Sequence, residues 1–274
     1  MSSETSQPLA QPRSGGGGVD GKLAGRGRGA LDPIAFVGAT LIGIARLLRL
    51  RGAADRASLI AALQHYGVES LPIVGLIAFA GGAILTLLGM KELGKIGVDS
   101  LGPRVVGIVL LREIAPLIAG IALAGRVAAS CAAEIAFARA GDAVTPRGRA
   151  GQEAMDAVVA PRVLALLVAG PLLVAYADGL ALVGSAAWAQ LSWGRPGWPH
   201  LLEVWSGLTL KHAVAALSKG AGFGLVVGLV GCYQGLRAGE ADIGARVRSA
   251  VAKAVIAVGL TETLLIFVFK WIRF

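Results

Sequence analysis

The chain has 274 residues, of which 55% are hydrophobic and only 16% charged, with a mean hydropathy of +0.70. A soluble domain carries nearer a quarter charged residues, so that class is excluded. The net charge of +9 would suit nucleic acid, but the basic residues sit mostly between and beside apolar runs, which points to an anionic membrane surface and no nucleic acid.

Residues 1–31 are Ser, Gly, Pro and Arg without an apolar core. They read as a disordered tail with no signal-peptide h-region. The segment PIAFVGATLIGIARLLRLRG (33–52) is apolar in its first half, and Arg46, Arg49 and Arg51 crowd its end. Its apolar part is short for a span, so it is expected to lie at the cytoplasmic surface with its guanidinium groups at lipid phosphates. DRASLIAALQHYG (55–67) continues as a short amphipathic helix, which makes 32–67 an interfacial region.

Apolar runs recur at about 70–90, 105–125, 161–188, 213–236 and 250–270. Each approaches or exceeds the roughly 20 residues that cross the hydrocarbon as a helix, and none alternates as a barrel strand would. An all-α membrane protein with about five transmembrane helices is expected. The segment 139–162 holds Arg139, Arg147, Arg149 and Arg162, and 235–253 holds Arg237, Arg246, Arg248 and Lys253. The segment 188–207 is rich in tryptophan. The positive-inside rule then puts the N-terminus in the cytoplasm and the C-terminus outside, although the closing KWIRF and Lys91/Lys95 weigh slightly against it.

Within 110–140, LLREIAPLIAGIALAGRVAASCAAEIAFARA, the apolar run carries Arg112, Glu113, Arg126 and Glu134. Such side chains belong in a protein interior or a wet cavity, paired with opposite charge. Arg126, Ser130 and Glu134 share one helical stripe, and Pro116 should kink or break the helix just after Arg112-Glu113. These groups either line a polar path or form an ion pair that fixes the bundle. Gly220, Gly224 and Gly228 leave one helix face bare; it suits a dimer seam or packing within one subunit.

His65, His200 and His212 are scattered, and Cys131 and Cys232 lack metal spacing, so no metal or other cofactor is expected. The polar insert 140–162 is a connecting loop or a helix that docks on a soluble partner. The chain has no GxSxG, HExxH or Walker A motif. If ATP drives transport, the nucleotide site lies on another polypeptide.

Leu110-Leu111-Arg112-Glu113, Pro116, Ala124-Gly125-Arg126 and Ala133-Glu134-Ile135 together resemble the signature of the MlaE (YrbE) permeases. Val159-Ala160-Pro161-Arg162, Ser218-Lys219-Gly220 and Gly231-Cys232-Tyr233-Gln234-Gly235 resemble further elements of that family, so the likeness covers about 33–272. It implies an ABC-transporter permease domain over 32–274 that moves phospholipids between the inner and outer membranes. A homodimer in the bacterial inner membrane is implied, with a cytoplasmic ATPase that binds the ATP, a periplasmic MCE-domain protein and often a STAS-domain protein.

The resemblance also assigns residues. Arg112, Glu113, Arg126, Glu134, Lys219 and Glu262 would be the intramembrane polar set, with Glu262 standing near an aspartate frequent in the family. Arg126 and Glu134 would tie helices together. The segment 140–160, with Asp142, Arg147, Arg149, Glu153 and Asp156, would be the cytoplasmic coupling element for the ATPase. It departs from the family where Gly141-Asp142-Ala143-Val144 replaces an acidic start and Arg149-Ala150-Gly151 replaces VDP. The alternatives are a stand-alone secondary transporter or channel, for which no inverted repeat is evident, and a diverged non-transporting scaffold.

Overall fold

The computed structural model describes residues 19–49, 53–140, 148–194, 196–239 and 242–272. The chain divides into two compact units, 1–38 and 39–274, with the boundary inside helix α1 (Val19–Arg49). Thirteen residues assigned to the tail therefore belong to α1, and 1–18 lie outside the described residues. The apolar part of α1, Pro33–Leu48, is shorter than the other apolar helices. At 1.5 Å per residue it covers about 24 Å, less than the hydrocarbon core, as suits an interfacial helix.

The second unit continues with α2 (Ala53–Tyr66) and α3 (Leu71–Lys95). Then come α4 (Gly102–Val109), α5 (Ala115–Ala140) and α6 (Gly148–Trp193). The short α7 (Gly197–Gly207) precedes α8 (Leu210–Leu236) and α9 (Ile243–Trp271). Five stretches of the described residues are long and apolar enough to cross a membrane: Ala57–Lys95, Gly102–Ala140, Ala157–Ser192, Leu210–Leu236 and Ile243–Trp271.

Pro116 does not break its helix. The turn before it, Leu110–Ile114, is a π-helix, and the chain runs on into α5. One wide turn absorbs the missing N–H that would otherwise interrupt the ladder. The insert after α5 also differs from a plain loop. Helix α6 already begins at Gly148, so Arg149, Glu153 and Asp156 lie on its first turns, while Asp142 and Arg147 lie outside the described residues. With 46 residues, α6 is the longest helix; at about 69 Å it outreaches the bilayer.

The core lies where α5, α6 and α8 meet, filled by Leu123, Val127, Ile135, Leu166, Leu173 and Phe223, all at most 2% exposed. Glycines set the spacing. A Cβ on Gly220 would lie 2.8 Å from the Gly170 carbonyl oxygen of α6, and one on Gly224 would overlap the carbonyl of Leu166. A Cβ on Gly228 would meet Leu166 Cδ1 at 3.0 Å. The bare face of α8 is thus used within the subunit, against α6, and is not free to form a dimer seam. Direct backbone approach of this kind gives membrane helices close contact without a hydrophobic driving force.

Candidate functional site

Two clusters of charged side chains lie in the bundle, and both draw on the 110–140 stretch. The first joins α2, the turn Val68–Ser70 that precedes α3, α5 and α6. Arg126 Nη2 donates to Glu69 Oε2 at 2.7 Å, and its Nη1 donates to Ser70 Oγ at 2.6 Å and to the His65 carbonyl at 3.2 Å. Glu134 Oε2 accepts from the Tyr66 hydroxyl at 2.7 Å and from Arg162 Nε at 3.1 Å, with Arg162 Nη2 at 3.0 Å. His65 bridges the halves: its Nδ1 stands 3.0 Å from Glu69, and its Nε2 stands 2.9 Å from Ser130 Oγ and 3.3 Å from Glu134.

Arg126 and Glu134 do not pair with each other. Two positions eight residues apart are separated by about 12 Å along a helix, and each finds a nearer counter-ion on another helix. They do tie helices together, as the resemblance implies, but through Glu69 and Arg162. The cluster is half-exposed, and His65, Tyr66, Glu134, Arg162 and Ser58 line a cavity of about 260 Å³ beside it.

The second cluster is drier. Lys219 of α8 has no solvent exposure. Its Nζ donates to Glu113, to Glu262 Oε1 of α9 at 2.7 Å and to the Arg112 carbonyl at 2.9 Å. Pro116 explains the last contact: it has no N–H to offer the preceding turn, and the Arg112 carbonyl takes its hydrogen bond from Lys219 instead. Arg112 Nε stands 3.1 Å from Glu113 Oε1. An isolated ammonium in this setting would be prohibitively costly, and two carboxylates with a carbonyl make it tolerable. Glu262 Oε2 is buried and meets no donor. Arg112 and Glu113, with the distant Lys219 and Glu262, therefore form one site, separate from Arg126 and Glu134.

At the end of the bundle where α5 stops, the Arg139 guanidinium donates to the carbonyls of Leu236 and Ala238, which closes the C-terminus of α8. In the turn that follows, Asp242 accepts from Gly239 N–H at 2.6 Å and from Arg246 Nε at 3.0 Å. The Arg246 guanidinium, and then the Gly239 amide, hold its carboxyl below the usual carboxylate range. At the other end, Thr86 Oγ1 donates to Ser185 Oγ at 2.7 Å, and Ser185 Oγ stands 2.8 Å from His200 Nε2, which joins α3, α6 and α7.

Sequence reasoning passed over Tyr66, Glu69, Arg162, Asp178 and the Thr86–Ser185–His200 chain. The His65/Glu69 spacing of four residues was the one available signal for the first cluster. Arg162 counted only as a loop base and a motif residue.

Five apolar helices with ion clusters between them, one of them sealed around Lys219, define a multi-pass membrane protein. The family model described as Permease MlaE matches residues 59–268, and the chain belongs to the MlaE permease family. It is 28% identical over 205 residues to a probable ABC transporter permease protein of Rickettsia typhi, covering 74% of this chain and 79% of that protein. It is 25% identical over 227 residues to a probable ABC transporter permease protein of Synechocystis, covering 82% and 85%. It is 22% identical over 205 residues to the chloroplast protein TRIGALACTOSYLDIACYLGLYCEROL 1 of Arabidopsis thaliana, covering 74% of this chain and 59% of that protein. As a permease subunit the chain is not itself an enzyme, and ATP hydrolysis belongs to a partner ATPase.

Proposed function

We propose that this permease moves phospholipids, or closely related lipids, between the inner and outer membranes of a bacterium. The observation that carries the reading is the Lys219 site. A dry cluster of two cations and two carboxylates sits in a bundle whose outer faces are apolar, and part of it is open: the side chains of Arg112 and Glu113 are 31% and 30% exposed while Lys219 is sealed. Such a site offers hydrogen-bond donors and acceptors to a headgroup, with apolar surface alongside for acyl chains. A relative with a glycerolipid in its name supports a lipid as cargo.

In this reading the protein works as a homodimer in the inner membrane, N-terminus in the cytoplasm. A periplasmic MCE-domain protein receives or delivers lipid, and a STAS-domain protein accompanies some complexes. The ATPase binds the ATP and engages the 140–160 element, through the segment with Asp142 and Arg147 and the first turns of α6 with Arg149, Glu153 and Asp156. The test is to copurify the tagged chain with its ATPase, reconstitute both in vesicles, and follow a fluorescent phospholipid with and without ATP. ATP-dependent lipid movement that falls severalfold in Glu113→Gln is expected. ATP hydrolysis that drives a water-soluble solute and leaves lipid in place would overturn the proposal.

A further inference from the structure

A further polar feature borders the Lys219 site. Between α6, α7 and the start of α8 is a cavity of about 510 Å³ with mainly apolar walls, among them Leu111, Leu182 and Trp205. Three polar side chains interrupt them: Asp178, Thr209 and His212. Asp178 Oδ1 is buried and meets no hydrogen-bond donor. A carboxylate oxygen held without a donor is costly, and a ligand that brings one is favoured there.

His212 supplies the complementary group. Its Nδ1 accepts from the Thr209 backbone N–H at 3.1 Å. In a neutral imidazole the proton is then on Nε2, which is left as a donor. Leu111, next to Arg112 in the π turn, is part of the cavity wall, which brings the Arg112 guanidinium to the same side of the bundle. The cavity thus combines an acceptor without a donor, a donor, and a nearby guanidinium. Its depth suits a headgroup: Asp178 lines it together with the first turn of α8, and α7 presents Trp198 and Trp205, each 70% exposed, as interface anchors do.

We propose that this cavity is a headgroup site for a zwitterionic phospholipid with a primary ammonium. Asp178 takes the ammonium, His212 Nε2–H with Arg112 takes the phosphate, and the apolar walls take the upper acyl chain. The proposal names the substrate class of the permease and rests on the lipid reading above. An ethanolamine headgroup satisfies both groups. A choline headgroup has the charge but no N–H to donate, and a glycerol headgroup brings hydroxyls but no cation to the Asp178 carboxylate.

The test uses the full chain in nanodiscs made from equal amounts of ethanolamine, choline and glycerol phospholipids with identical acyl chains. Tightly held lipid is then read by native mass spectrometry. A charge-assisted hydrogen bond predicts that the wild type retains the ethanolamine lipid about fivefold over each of the others. Asp178→Asn should bring retention to the input ratio, and Asp178→Glu should restore part of the preference. Retention at the input ratio by the wild type, or an undiminished preference in Asp178→Asn, overturns the headgroup site while leaving the lipid reading intact. Retention of no lipid by either protein overturns both. If the variants fail to fold, the wild-type ratio between ethanolamine and choline lipids decides, because those two carry the same charge and differ in that three N–H donors are replaced by N-methyl groups.

Discussion

The clasp around Arg126 and Glu134 and the site around Lys219 use the same residue types to different ends. In the clasp each guanidinium has its own carboxylate, and His65, Tyr66, Ser70 and Ser130 add further hydrogen bonds. At Lys219 one ammonium serves two carboxylates and a carbonyl, out of solvent, and one oxygen of Glu262 is left without a donor. The clasp is redundant, and losing one member leaves alternatives. The Lys219 site has no spare cation of equal burial, so charge there is finely balanced. A redundant network fastens α2 and the turn before α3 to the bundle, while one with an oxygen left without a donor is suited to exchanging partners with a ligand.

The largest expected effect tests that lack of redundancy. Lys219→Met would leave Glu113 and Glu262 without their shared cation, and loss of a buried partner costs about 3–5 kcal/mol. Thermal unfolding in detergent should show a collapse in stability; a near-native transition would mean that the two carboxylates do not depend on Lys219. Gly224→Leu comes next. It would force α8 off the Leu166 carbonyl and carry Lys219 with it, an overpacking cost of about 1–3 kcal/mol or more. Gly228→Ala should cost less, since the Leu166 side chain it would meet can turn away. Equal transitions for the two would show that α8 does not rest on α6 through the Gly224 face.

In the clasp, Glu134→Leu removes the counter-ion of Arg162, which is 24% exposed and keeps the Tyr66 hydroxyl and the Val158 carbonyl. We expect about 1–3 kcal/mol in the same unfolding measurement, less than for Lys219→Met. Arg126→Ala should cost under about 1 kcal/mol, because Glu69 is half-exposed and keeps His65. A larger loss for Arg126→Ala than for Lys219→Met would reverse the comparison.

The smallest effect is at Asp242, outside the spans. Its carboxyl is depressed in the fold, so its contribution is complete above the unfolded carboxylate range and disappears as pH falls through the lowered folded value. Comparing melting at neutral and acid pH, Asp242→Asn should remove a slight part of the acid sensitivity. An unchanged pH profile would show that the Gly239–Arg246 turn adds nothing.

The sequence made the class and the spans legible, because hydropathy and length decide whether a helix crosses a membrane. It also picked out the charges of the 110–140 stretch, because four of them stand in one apolar run. It did not show their pairing. Arg126 and Glu134 share a stripe, which left a polar path and an ion pair equally open, and each pairs away from α5 with Glu69 or Arg162, which only tertiary packing brings near. Pro116 announced a distortion but not its form, since a π turn and a break begin from the same missing N–H. The glycines of α8 left two readings open, and the carbonyls of Gly170 and Leu166 on α6 decided between them. Asp178 escaped notice as one acid in a long apolar helix.

The most direct test of the account is to map where a phospholipid touches the working transporter. A lipid with a photoreactive group beside its headgroup would be cross-linked during ATP turnover by the permease–ATPase complex, and the adducts located by mass spectrometry. Adducts at the π turn around Arg112-Glu113 and at the cavity wall near Asp178 and His212 are predicted. Adducts confined to the outward faces of α3 and α9, at Leu76, Leu88, Leu260 and Leu264, would show that lipid meets this protein only as its solvent and would contradict the account.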